Sequence, residues 1–241
     1  MPSREKKHWL TMELTPGKIF LADERGLTET SALRRFSTFN FEKYYSEDRT
    51  PFGNLFLCND ESIVGGKVTF FLCKEDSLQI FIPITGGIDI IANGKEFALE
   101  TGQVQVLNMG KGEVLEISNP YQNNVINYIQ FGIKTDMFLM RASEMLFGFD
   151  FEKNKNQLLE IIANPKLPFK LSAGIFTGRE EAVYKMQSPN HQFYAFIIDG
   201  AFEIEGRLMH ARDGLALWDI EQVELEALSN NAIVVVLEFG F

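Results

Sequence analysis

Residues 71–87, FLCKEDSLQIFIPITGG, set three consecutive charges, Lys74, Glu75 and Asp76, between two apolar runs. Two kinds of chemistry suit such a break. One is a charged turn at a strand boundary, the ordinary meaning of the pattern. The other turns Lys74 inward, since it shares its alternation with Val68, Phe70 and Leu72. A buried ammonium must be paired, so this reading requires a bound anion or a carboxylate such as Glu116. Cys73 is a candidate redox thiol, because a neighbouring ammonium favours the thiolate, and Cys58 is a second. The competing reading is two buried thiols acting as small hydrophobes. Gln79, Gln103, Gln105 and Gln130 fall in or near strand patterns and either line a pocket or face solvent.

The remaining chemistry-bearing residues are sparse. The chain has three histidines, His8, His191 and His210, with none between residues 9 and 190. His191 and His210 are 19 positions apart, which reads as two structural histidines rather than a metal pair. GKG at 110–112 lacks the following helix and the spacing of a phosphate loop, so it reads as a corner between strands. No Gly-x-Ser-x-Gly elbow and no His-Glu-x-x-His is present.

The elements that must position these residues are strands. KVTFFLCK (67–74), QVQVLN (103–108), EVLEIS (113–118) and NYIQFGI (127–133) alternate with period 2. IDIIANGKEFAL (88–99) folds on Asn93-Gly94, the dipeptide that best tolerates positive φ at both turn positions. In EVLEIS, Leu115 and Ile117 share a face opposite Glu116 and read as core. DFEKNKNQLLEIIANP (150–165) and the preceding MFLMRASEML (137–146) read as a helical connector, stopped at Pro165. Beyond it the pattern repeats: ITGGIDIIANGKEFALETGQVQVL (84–107) resembles IIDGAFEIEGRLMHARDGLALW (197–218). Gly86 to Gly102 spans 16 positions and Gly200 to Gly214 spans 14, so a duplicated β domain is expected.

Composition narrows the partners. The 241 residues include 33 acidic and 23 basic side chains, for a net charge of -10, which repels phosphate backbones and anionic lipid. Neither nucleic acid nor membrane is therefore an expected partner. No apolar run approaches the roughly 20 residues of a membrane span. PSREKKH opens the chain without the apolar stretch of a signal peptide, and two cysteines make no disulfide framework, so the cytoplasm is the expected location.

The repeated strand–Gly–hairpin–Gly–strand unit resembles the cupin barrel. Within that superfamily, RRFSTFNFEKYYSEDRTPFGNLFLCNDESIVGG (34–66), the GQVQVLNMGKG stretch (102–112), YIQFGI (128–133), FIIDGAFEIEG (196–206) and ARDGLALWD (211–219) resemble, in that order, the pirins. The resemblance implies an all-β fold of two tandem cupin, jelly-roll-like barrels joined by a short helical linker. Its expected parts are an N-terminal arm (1–30), a first barrel (31–136), the linker (137–165) and a second barrel (166–241). Pirins hold a metal in the first barrel through a His-x-His pair, a later His and a Glu. The resemblance carries these positions onto Leu72, Lys74, Leu115 and Ile117, none of which is such a ligand. No metal and no cofactor are expected. The barrel positions Leu72, Lys74, Leu115, Ile117 and Gln130 are then candidates for binding a small molecule. Three functions follow: a non-catalytic small-molecule-binding, regulatory or scaffold protein; a quercetinase-like dioxygenase using another metal site; or a thiol sensor through Cys73 or Cys58. A protein partner and a homodimer through exposed barrel edges are further expectations.

Overall fold

Hydrophobic patterning divides the strands into two kinds. SLQIFIPIT, INYIQFGIK, QFYAFIID and AIVVVLEF are mostly apolar and buried on both faces. VTFFL and QVELEA alternate in burial and cover one face only. The first kind builds large central sheets and the second builds outer sheets, because only a strand sandwiched between two cores can bury consecutive side chains.

The computed structural model describes residues 15–135 and 144–240. In the first barrel a seven-stranded sheet runs in the order β12 (Glu144–Gly148), β9 (Gln103–Met109), β6 (Ser77–Thr85), β11 (Ile126–Lys134), β4 (Leu55–Ile63), β3 (Leu33–Ser37), β2 (Gly26–Glu29). It faces a four-stranded sheet, β5 (Val68–Leu72), β10 (Val114–Ser118), β7 (Ile88–Ala92), β8 (Lys95–Leu99). In the second barrel a six-stranded sheet runs β1 (Gly17–Phe20), β19 (Gly214–Leu217), β16 (Gln192–Asp199), β21 (Ala232–Phe239), β14 (Phe169–Phe176), β13 (Leu159–Ile162). Its four-stranded partner is β15 (Glu181–Lys185), β20 (Gln222–Ala227), β17 (Ala201–Ile204), β18 (Arg207–His210).

Each barrel has its own core, around Ile63, Ile90, Leu115 and Tyr128 in the first and Phe193, Phe202, Val223 and Val236 in the second. A third core, with Ile80, Phe131, Phe196 and Leu237, joins the two large sheets back to back. The expected duplication is present: β6 to β9 pair as β16 to β19 do. Both hairpins turn on two residues of positive φ, Asn93 (51°) and Gly94 (76°) in one and Glu205 (49°) and Gly206 (68°) in the other, the geometry that matches strand twist.

The helical linker is not what forms. Residues 137–143 lie outside the described residues, and the remainder is two strands around a turn. β12 pairs antiparallel with β9, Leu146 opposite Gln105, and β13 pairs with β14, Leu159 opposite Ala173. Between them, the Asp150 carboxylate accepts the amides of Glu152 and Lys153, and Asn156 takes φ of 61°, closing off a helix. A bulge between Glu160 and Ile162 turns the apolar stripe into a strand edge, with Ile161 and Ile162 both on the inter-barrel core. Open sheet edges offered this segment more than its weak helical pattern did. The segment thus gives one strand to each barrel, and the second barrel's sheet starts at Leu159. The arm divides likewise, β1 pairing with β19 and β2 with β3.

Candidate functional site

The interior of the first barrel is where the sequence placed its candidate site. Leu115 and Ile117 point into it and are fully buried, as their alternation requires. Leu72 and Lys74 do not. Register pairs Leu72 with Val114 and Phe71 with Leu115, so Phe71 and Cys73 face inward while Val68, Phe70 and Leu72 face solvent, Phe70 at 63 % exposure and Leu72 at 52 %. The expected grouping of Val68, Phe70, Leu72 and Lys74 on one face is correct, but that face is the outer one. Phe71 is held inward by stacking on Phe41, with centroids 5.9 Å apart, and the Arg35 guanidinium lies 5.0 Å over the same ring.

Lys74 sits exposed, its Nζ 6.0 Å from the Phe41 ring, with no carboxylate at ion-pair distance among the described residues. Its neighbours build the rim turn. Asp76 accepts the amide of Lys111 in the GKG corner at 2.7 Å, and Glu75 pairs with Lys134 at 2.7 Å.

Gln130 faces the interior and is fully buried. Its Nε2 donates to Gln79 Oε1, and Gln79 Nε2 donates to Ser77 Oγ, each at 2.8 Å. Gln105 is also buried, donating to the carbonyls of Val106 and Met145, whereas Gln103 accepts the Glu100 amide at the surface. Beside Gln130 in the register stands Asn59, and the carbonyl oxygens of both side chains lack a partner among the described residues.

Next to these amides lies an ion pair that the sequence reading missed. Arg35 donates through Nε to Glu61 Oε1 at 2.7 Å and through Nη2 to Oε2 at 3.3 Å, while Tyr128 Oη donates to Oε2 at 2.7 Å. Asn59 Nδ2 adds a bond to Glu61 at 3.3 Å, and Glu42 meets Arg35 from the rim at 3.4 Å. Burial, then the Glu61 charge, push the Tyr128 phenol well above its ordinary value. Burial alone would lower Arg35, but the Glu61 carboxylate outweighs it and the guanidinium is held more firmly charged. The signal was available: in LFLCNDESI, Asn59 and Glu61 share the face of Leu57 and Ile63.

Both thiols are buried. Cys58 sits in the inter-barrel core, where burial raises it to about 11. Cys73 points away from Lys74 and is raised to about 12, by burial first and then by Glu113. The expected activation of Cys73 by the adjacent ammonium is therefore replaced by the opposite effect.

The fit of a metal can be tested on these contacts. Of the four family ligand positions, two are aliphatic core and two lie outside the barrel. Among the described residues no three His, Cys, Asp or Glu side chains converge. The residues present do not fit the group.

A separate space lies between the barrels. A cleft of about 440 Å³ opens between the large sheets, walled by Ile82, Val104, Ile161, Ile198 and Val235. Phe149 and Phe151, with centroids 4.7 Å apart, close one side. Asp150 and Glu152 at its edge are paired with Lys153 and Lys155, leaving the lining apolar and largely uncharged. Reading residues 150–165 as a helix hid this wall.

Residues 168–239 match the quercetinase C-terminal cupin domain. A quercetin 2,3-dioxygenase of Escherichia coli K12 is 22 % identical over 222 residues, 88 % of this chain and 94 % of that protein. The crystal structure of YhhW from E. coli superposes with a TM-score of 0.81 at 18 % identity, covering 93 % of this chain and 97 % of that one. The nickel(II) complex of the bacterial pirin YhhW gives 0.78 at 18 % identity, over 93 % and 99 % of the two chains. A quercetin 2,3-dioxygenase structure from Acinetobacter baumannii gives 0.67 at 11 % identity, covering 94 % of this chain and 79 % of that one. The two barrels in this order give the chain the fold of these pirin-like cupin structures, and its second barrel matches the quercetinase C-terminal cupin domain.

Proposed function

We propose that this pirin-like protein is a binding protein whose first barrel and inter-barrel cleft are non-catalytic: it takes a small apolar molecule into the cleft between its barrels and does no metal-dependent chemistry. The carrying observation is Leu115 and Ile117, fully buried at the two family ligand positions that face the barrel interior. Aliphatic side chains there offer a cation no lone pair. The cleft supports the binding half of the reading: its volume of about 440 Å³ suits a small organic molecule, and a boundary between two barrels is a common place for such a site.

Two measurements test it. Metal analysis of the purified protein should find no stoichiometric Fe, Mn or Ni, and a stoichiometric metal would overturn the non-catalytic half. A neutral apolar dye such as Nile red should bind the native protein and lose affinity in Ala173→Phe, whose ring fills the cleft. Unchanged dye binding in a folded Ala173→Phe, with Val235→Trp behaving the same, would sink the binding half. The dioxygenase reading draws on the relatives that span most of the chain, and the same metal analysis decides it.

A further inference from the structure

Glu238 on β21 is 1 % exposed and accepts three hydrogen bonds: from Tyr184 Oη at 2.8 Å, from the Gln187 amide at 2.8 Å and from His191 Nδ1 at 2.7 Å. Burial, then the Glu238 carboxylate, keep the Tyr184 phenol well above its ordinary value, so it stays a donor. A carboxylate held by two other donors fixes the proton of neutral His191 on Nδ1. Its lone pair is then on Nε2, which makes no hydrogen bond among the described residues.

The His191 side chain is 30 % exposed and stands in the wall of a second hollow, of about 370 Å³. Three separate parts of the chain build it: Lys18 and Phe20 from β1, Phe52 from the first barrel, and Gln192 and Trp218 from the second. Phe52 and Trp218 lie with ring centroids 6.0 Å apart. Gln192, in the same wall, is 7 % exposed, and its carbonyl oxygen is buried against Gly53, without a hydrogen-bond partner among the described residues. An oriented base and an ammonium around an aromatic-lined hollow make a site of different chemistry from the apolar cleft.

We propose that His191, positioned by Glu238, is the proton acceptor of a second site, which takes small apolar-bodied weak acids against Trp218 and Phe52. The substrate's C–H or O–H bond breaks, its electron pair stays on the substrate as an anion that Lys18 holds, and the proton goes to Nε2. Water takes the proton from the imidazolium when the product leaves, so no oxidant or metal enters the balance. Glu238 is a positioning residue.

The probe is 5-nitrobenzisoxazole, whose C3–H proton leaves to a base as the N–O bond breaks to give a cyano-nitrophenolate. The native protein should open it about 100-fold faster than free imidazole at equal concentration, with a rate that rises with pH. The charged groups around His191 are Lys18 and Asp219 in this hollow and Glu238, Glu160 and Lys170 in the hollow on its other side, with Tyr184 bonded to Glu238. His191→Gln should abolish the excess rate. Glu238→Gln should lower kcat with KM little changed, and Trp218→Ala should raise KM. A native rate no better than imidazole, a folded His191→Gln with the native rate, or a flat pH profile would each overturn the proposal. Nitrogen-15 NMR of the native histidines needs no variant: a proton on Nε2 of neutral His191, with Nδ1 bare, would overturn it as well.

Discussion

Arg35→Met is the most informative single change in the first barrel. It leaves the Glu61 carboxylate buried against Tyr128 and Asn59, with its cation gone. Removing one partner of a buried pair destabilises by about 3–5 kcal/mol. Glu61 can relieve the charge by taking up a proton, which sets a ceiling. Protonating a glutamate of ordinary value about 4.3 at pH 7 costs roughly 3.7 kcal/mol, at about 1.4 kcal/mol per pH unit. In the variant the folded-state value lies above the unfolded one, so stability is fully present below about pH 4.3 and is lost as pH rises through the folded value. The penalty of Arg35→Met should therefore shrink from roughly 4 kcal/mol at pH 7 to about 1 kcal/mol at pH 5. Urea denaturation at the two pH values measures it, read from the midpoint with the slope unchanged. Arg35→Met with Glu61→Leu should then be less damaging than Arg35→Met alone at pH 7, despite the Asn59 amide it leaves unpaired. A penalty that does not change with pH, or a double variant equal to the sum of the singles, would refute a buried charge pair.

Three further outcomes follow from the geometry. Cys58 and Cys73 should resist iodoacetamide in the native state; because their folded values of about 11 and about 12 exceed an ordinary 9.0, they stabilise the fold below pH 9 and lose that contribution as pH rises toward 12. Cys73→Ala should accordingly flatten the alkaline fall in Tm, and rapid native alkylation would contradict the burial. Phe71→His with Leu115→His, beside native Cys73, should create three inward donors and raise Tm with Zn²⁺, whereas Leu72→His with Lys74→His should not; a zinc effect in the second pair alone would invert the strand phase assigned to β5. The homodimer proposal places contact on β5, an edge strand with Val68, Phe70 and Leu72 exposed, where its counterpart β15 carries Glu181 and Lys185. Light scattering should find a dimer that Phe70→Lys dissociates, and an unchanged mass in the variant would exclude this edge.

What was legible follows from how locally each feature is determined. Asn93-Gly94 fixes a hairpin through two φ angles, and Gly86 and Gly200 recur because each barrel makes the same turn, φ 71° and 75°. Leu115 and Ile117 were legible as core because Glu116 between them leaves one apolar face. Phe70 and Phe71 are adjacent aromatics, so alternation alone gave no phase, and the choice was made by Phe41 and Arg35 from a distant loop and strand. Leu158 to Ile162 carry an apolar stripe that a helix or a bulged strand could bury, and only the open edge of β14 decides between them. Glu238 is the hardest case: it ends the apolar run AIVVVLEF as one more charge, and its partners lie 47 and 54 positions earlier.

The two barrels have arrived at different uses of one interior plan. In each, a carboxylate on a strand of the large sheet accepts a buried tyrosine hydroxyl: Glu61 from Tyr128 in the first and Glu238 from Tyr184 in the second. The third partner sets the chemistry. Arg35 is 3 % exposed and delivers two nitrogens to Glu61, which ties both groups into a buried ion pair. His191 delivers one nitrogen to Glu238 and keeps the other at the wall of a hollow. A guanidinium cannot release its proton in the physiological range, whereas an imidazole exchanges one there. The first network therefore stabilises and the second is poised to react, which separates the consequences of the two substitutions. Arg35→Met should lower stability and spare the ring-opening rate, and His191→Gln should do the reverse.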